Sequence, residues 1–301
     1  MNKLFLPLLC SLIMLQACQR NQEKISQADY EKEIAEWDVK RAAYLKSEEG
    51  WLNLAGLFWL KEGFNTFGSA ADNDLVFPKY KIPEHAGYFL LNQGIVSMQI
   101  NEDVSLEVNG IEQLGSIIFH PDSARITIDY PPLHWFVIKR ENQYAIRLRD
   151  FEHDELINFH GIDRFPPDLA WRIPGTFEAA QPGASLAIIN VLGQNISMKL
   201  AGTLSFNYKG NDYKLLALDE EIGADLFVIF SDETNARETY GAGRYMYVSW
   251  PEVGSNKVII DFNKAYNPPC AFTDFATCPL PPKQNQLPFA VKAGELNYGA
   301  H

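Results

Sequence analysis

"HWFVIKRENQYAIRLRD", residues 134–150, decides the fold. Two runs alternate apolar and polar side chains with a period of two around Glu141, Asn142 and Gln143, so the stretch reads as an antiparallel hairpin. Shorter runs of the same kind lie on both sides. "NTFG", "DLVFP", "GYFLL", "IVSMQI", "VSLEVNG", "SIIFH" and "RITIDY" precede the hairpin; "ASLAIINVLG", "ISMKLAGTLSFNYKG", "DYKLLALDE", "DLFVIFSDE", "RYMYVSW" and "KVIIDF" follow it. Turn residues separate the runs roughly every ten positions, with no long helical pattern between them. That spacing predicts sandwich or barrel layers and argues against a parallel α/β sheet.

One helix precedes the strands. From Asp29 onward Tyr30, Ile34, Trp37 and Tyr44/Leu45 recur at helical spacing, Glu31, Glu33, Glu36, Lys40 and Arg41 take the other face, and Gly50 ends the pattern. The proline-punctuated stretch "FEHDELINFHGIDRFPPDLAWRI" divides the two strand sets. The expected architecture is mainly β, with two packed sandwich or barrel-like units and one N-terminal amphipathic helix. Residues 29–150 would hold the helix and a first sandwich, and residues 151–301 a C-terminal β domain with a proline-rich closing segment.

Residues 1–17 read as a secretory signal, with Lys3, an apolar run from Leu4 to Leu15, and small residues before Cys18. "LQAC" resembles the bacterial lipobox, which implies cleavage before Cys18 and a lipid on its sulfur. Residues 18–28 would then tether the protein to a membrane of the bacterial cell envelope. Gln19 lacks the aspartate that retains some lipoproteins in the inner membrane, so the outer membrane is favoured. A formal net charge of −12 repels phosphate backbones and argues against nucleic acid as a partner.

With Cys10 removed and Cys18 lipidated, Cys270 and Cys278 remain. In an oxidising compartment they make a disulfide most simply, and closing so short a loop stabilises the fold by about 2.5 kcal/mol. Two thiols sharing a metal with other ligands, or two buried free thiols, are the alternatives.

The common catalytic motifs are missing: there is no phosphate-cradling glycine loop, nucleophile elbow, two-histidine zinc helix or Cys-x-x-Cys pair. No cofactor is therefore expected. His153, Asp154, Glu155, His160 and Asp163 are the right types for a divalent metal but fit no named spacing, and a solvated linker has the same composition. Further on, "LDEE" (219–221 its acidic part), "SDET", "TYGAGRYMYVSW" and "DFNKAYNPPC" bring carboxylates, Tyr240, Arg244, Asp261, Asn263, Tyr266 and Asn267 to neighbouring strand ends. Such groups can line a polar pocket, with Arg244 and Tyr240 as its floor, or can cap their own turns.

Two resemblances add to this reading. "FGSAADNDLVF", "PEHAGYF" and "LEVNG" resemble, in that order, the forkhead-associated sandwich over residues 55–150. Ser69 stands where that family has its phosphate-binding arginine, and Pro83-Glu84 precede His85 where a Ser-Arg pair is usual, so the resemblance implies a scaffold without a phosphopeptide grip. "WLNLAGLFWLKEGFNTFGS", "YAIRLRD", "WR" after "FPPD", "TYGAGRY" and "DFNKAYNPPCAFTDFATCPLPPKQNQL" followed by "AGE" resemble the domain of unknown function 1684 family across residues 36–296. That resemblance implies no activity. It directs attention to Arg147, Arg149, Asp150, Arg172, Tyr240, Gly243, Arg244, Asp261, Asn263, Tyr266, Asn267, Cys270, Cys278 and Glu295. The expected function is an exported lipoprotein that holds a small polar molecule or glycan in a pocket of its C-terminal β domain. A hydrolase with a loop carboxylate as general base and a structural envelope partner are the alternatives.

Overall fold

The computed structural model describes residues 25–102, 104–220 and 225–299. The signal, Cys18, most of the tether and Glu221 lie outside the described residues. The chain is mainly β, as the alternating runs predict. Among the described residues one long helix, α1 (Gln27–Lys46), precedes the strands, with the Ser26 hydroxyl capping its first turn by accepting from the Asp29 N–H at 3.1 Å.

Eleven strands follow: β1 (Leu54–Trp59), β2 (Gly63–Gly68), β3 (Leu75–Val76), β4 (Gly87–Asn92), β5 (Ile95–Ile100), β6 (Glu107–Val108), β7 (Ile111–Glu112), β8 (Gly115–Phe119), β9 (Thr127–Tyr130), β10 (Leu133–Arg140) and β11 (Gln143–Asp150). They form a six-stranded sheet in the order β1-β11-β10-β9-β6-β7 and a five-stranded sheet in the order β3-β2-β4-β5-β8. The hairpin that decided the fold is β10–β11. Its register pairs Arg140 with Gln143, so Glu141 and Asn142 make a two-residue turn with Glu141 at φ +50°. Alternation then sends Leu133, Trp135, Val137, Ile146 and Leu148 into a core shared with Phe67, Phe77 and Phe89. Each such side chain contributes about 1.5–3 kcal/mol by leaving water. The same alternation turns Phe136, Arg147 and Arg149 to the opposite face. The Ser69 hydroxyl donates to the Ile82 carbonyl at 2.9 Å, which makes it a brace between two loops of the sandwich.

The second strand set comprises β12 (Arg172–Ala179), β13 (Ser185–Ile189), β14 (Asn195–Tyr208), β15 (Asn211–Leu218), β16 (Leu226–Phe230), β17 (Arg244–Val248) and β18 (Lys257–Asp261). They make one sheet, β17-β16-β15-β14-β12-β18, with β13 added along β14. One face buries Ile173, Phe206, Val228, Met246 and Ile260 against Phe262, Leu287 and Val291 of the closing segment, which runs as coil with short 3-10 turns. The prolines there remove backbone donors and hold the segment extended.

Sequence order groups α1 with the first sandwich, but its bonds run to the second unit. The Tyr30 hydroxyl donates to Asp261 at 2.6 Å, Lys264 pairs with Glu33 at 2.6 Å, and Arg164 pairs with Asp38. Arg41, placed by its spacing on the solvent face, has a side chain only 9 % exposed. It donates to Glu295 at 3.0 Å and to the Asn267 carbonyl at 2.9 Å, and its guanidinium lies 4.6 Å from the Trp51 ring and 4.5 Å from the Tyr266 ring. Helix, first unit and closing segment meet on this one side chain. Among the described residues no helix is long and apolar enough to cross a membrane.

Candidate functional site

The outer face of β10–β11 does not reach solvent throughout. Part of it closes a cavity of about 460 Å³ against the second unit. Arg125, Arg140, Arg147 and Arg149 line it from the first unit, and Tyr245, Tyr247, Tyr266 and Glu220 from the second. Strand geometry accounts for the cationic wall: Arg147 and Arg149, two apart on β11, project on one side about 7 Å from each other.

The arginines differ in what they hold. Arg149 is committed, donating to the Gly50 carbonyl at 2.6 Å and to Asn53, with Glu49 at 3.6 Å. Arg125 lies 4.6 Å over the Phe136 ring and 3.9 Å from Glu49. Arg147 sits between Leu57 of β1 and Phe136 of β10, is 8 % exposed, and has no hydrogen-bond or ion-pair partner among the described residues. Burial, and then the like charges of Arg140 and Arg149, push its pKa down to about 10. It therefore remains a cation at neutral pH, in a place where an unpaired charge is costly.

The opposite wall is phenolic. The Tyr247 hydroxyl donates to Glu220 at 2.8 Å, and burial raises the Glu220 carboxyl above its ordinary range while that hydrogen bond opposes the rise. Tyr245 donates to the Pro279 carbonyl at 2.8 Å, and Tyr266 stacks on Tyr247 at 6.0 Å. Burial raises the pKa of all three tyrosines, so they stay neutral hydrogen-bonding groups. A guanidinium without a partner among the described residues, set across a cavity from aromatic rings, is suited to a ligand carrying negative charge.

Cys270 and Cys278 are joined as a disulfide with Cα atoms 6.2 Å apart. Its loop matters to the cavity, since Pro269, Ala276, Thr277 and Cys278 form part of the wall. The Tyr240 hydroxyl donates to the Cys270 carbonyl at 3.1 Å and so steadies that loop.

Most of the expected loop residues serve the fold. Arg244 is 0 % exposed, paired with Asp232 at 2.8 Å, and donates to the Val291 and Ala293 carbonyls. It pins the closing segment to the sheet and cannot be the floor of a pocket. Gly243 before it has φ +98°, and a Cβ there would lie 2.4 Å from Pro281. Asn263 bridges to Asp168, accepting from its N–H at 3.0 Å, and Asn267 donates from its N–H to Glu295 at 2.7 Å. Asp150 is held by Lys81 at 2.8 Å. Among the described residues no cluster of three or more His, Cys, Asp and Glu could hold a metal. His153 instead caps a short helix, α2 (Asp154–Ile157), where its ring accepts from the Glu155 N–H. Glu155 accepts from the Tyr298 hydroxyl at 3.3 Å, and His160 and Asp163 complete no such cluster among the described residues.

A second, wider groove of about 1380 Å³ runs over the other face of the C-terminal sheet. Arg172 and Asp261 stand at one end, 3.8 Å apart, and one oxygen of Asp261 is buried without a hydrogen bond. Tyr247 and Tyr266 border both this groove and the junction cavity. Arg125, Arg140, Trp51 and Tyr247 are contributors that the motifs did not single out. The one signal for them was alternation, which places Arg140 on the same side of the hairpin as Arg147.

Comparison with known proteins adds little about chemistry. No curated protein matches the chain. A solved structure, the solution NMR structure of an uncharacterized protein from gene locus rrnAC0354 of Haloarcula marismortui, is similar at 34% identity. The match covers 48% of this chain and 80% of that one, with a TM-score of 0.40. The model of the family described as "Protein of unknown function (DUF1684)" matches residues 157–296, a narrower span than the sequence resemblance covered. Through this C-terminal segment, which contains the disulfide loop, the phenolic wall and Glu295, the chain belongs to the DUF1684 family.

Proposed function

We propose that the protein is a binding protein for a small anion, held on Arg147 in the cavity between its two units. The observation that carries this is Arg147, 8 % exposed as a residue, without a hydrogen-bond or ion-pair partner among the described residues, and lining a cavity that a small molecule fits. A carboxylate or phosphate there gains charge-assisted hydrogen bonds and relieves the repulsion from Arg140 and Arg149. The tyrosines opposite supply donors and flat apolar surface for the rest of the ligand. In this reading the lipid anchor inferred from "LQAC" keeps the binding unit at a membrane surface, and the acidic remainder of the chain discourages polyanions.

The test is calorimetric titration with inorganic phosphate and with gluconate, on the wild type and on Arg147→Met. Binding by the wild type that weakens at least tenfold in the variant supports the proposal. Equal affinities in the two proteins, or no binding by either, overturn it.

A further inference from the structure

The junction cavity and the groove of the C-terminal sheet share a wall. Tyr247 and Tyr266 border both, and Tyr247 is 41 % exposed, so one ligand can lie across its ring with an end in each. The groove differs from the cavity in its chemistry. Its lining carries short hydroxyl and amide side chains, Thr176 from β12, Ser205 and Asn207 from β14, and Ser249 just after β17. Its charges are mixed, with Asp212, Asp225 and Glu252 against Lys214 and Lys257, which disfavours a chain of like charges. At its rim Trp250 is 42 % exposed while its edge packs against Phe177 at 5.5 Å. An indole fixed on one side and open on the other is a platform for a flat ring with C–H groups on its face and hydroxyls on its edge. Pro174, Phe206, Tyr213, Val258 and Ile259 add apolar surface to the same lining.

We infer that the ligand is an oligosaccharide of neutral sugars carrying one terminal carboxylate, its acid on Arg147 and its body across Tyr247 into the groove beside Trp250. The inference rests on the anion reading above and extends it from a charge to a substrate class. The cavity alone holds the acidic end. The groove, about three times larger, takes the sugars that follow.

The experiment measures affinities for gluconate and for tetrasaccharides of glucose, galactose, mannose and N-acetylglucosamine. Each tetrasaccharide is supplied both neutral and oxidised to a terminal aldonic acid. The expected result is that at least one acid-terminated tetrasaccharide binds ten times more tightly than gluconate and ten times more tightly than its neutral parent. Trp250→Ala and, independently, Asn207→Ala should each remove most of the gain over gluconate, and Arg147→Met the gain over the neutral parent. If gluconate binds through Arg147 but no tetrasaccharide exceeds it, the saccharide inference falls and the anion reading stands. If neither gluconate nor phosphate binds, the anion reading falls and takes the inference with it.

Discussion

Replacing Arg147 by methionine should make the protein more stable. Methionine keeps the methylene packing between Leu57 and Phe136 and removes only the charge. The guanidinium falls from its ordinary pKa to about 10, and at 1.36 kcal/mol for each tenfold change in proton affinity this amounts to about 3 kcal/mol. The sign follows from the direction. A base whose pKa is lower folded than unfolded penalises the folded state fully below the folded value, and the penalty fades only as pH rises past about 10 towards the unfolded value. At neutral pH it is therefore present in full. Water in the open part of the cavity offsets some of it, which leaves an expected gain of about 1–2 kcal/mol, or roughly 2–6 °C in melting temperature. Urea denaturation in chloride buffer measures the difference. Repeating it in phosphate should reverse the ranking, because the wild type gains about 2.7 kcal/mol at a ligand concentration one hundred times its Kd and the variant gains nothing. A variant destabilised by 1 kcal/mol or more in chloride, with a phosphate response equal to that of the wild type, would refute the reasoning and make Arg147 a structural residue.

Three further outcomes follow from the same geometry. Arg244→Met leaves Asp232 buried and unpaired and removes the donor to two carbonyls of the closing segment, so it should cost about 3–5 kcal/mol in denaturation and speed hydrogen exchange at residues 291–295. Gly294→Ala puts a Cβ 2.4 Å from the Ala265 carbonyl at φ +80°, and a loss of more than about 2 kcal/mol is expected; a neutral result would mean that the segment shifts freely. Cys270→Ser with Cys278→Ser should cost about 2.5 kcal/mol and also weaken anion binding, since the loop it closes walls the cavity; unchanged affinity by calorimetry would separate the loop from the site.

The sheets were legible because alternation is a local property. Residues 134–150 state their own strand directions and turn, and the same pattern puts Arg147 and Arg149 opposite Trp135 and Leu148. The fate of polar loop residues is not local. Arg244, Asn263 and Asn267 have the composition of a site, yet their partners at Asp232, Asp168 and Glu295 are set by how the closing segment crosses the sheet. Arg41 misled in the same way. A charge on the polar face of an amphipathic helix is usually solvated, and only the arrival of Glu295 and three aromatic rings makes burial of this one favourable. The cationic wall was half visible. The hairpin supplies three of its four arginines in one line of sequence, but the enclosure that gives them meaning requires the second unit to pack against them.

The pairing of Arg41 with Glu295 spans 254 residues. The first described element therefore has its binding partners more than two hundred residues further along the chain. Until those residues exist, α1 must wait with Tyr30 and Ile34 uncovered, and both its capped turn and its propensity are too weak to hold a helix of this length firmly alone. Completion of the fold is in this sense a check on the completeness of the polypeptide: a chain cut short before the closing segment loses the seat of its opening helix as well as its own last strand contacts. Long closure of this kind slows folding, and it ties α1 and the closing segment into a single cooperative event.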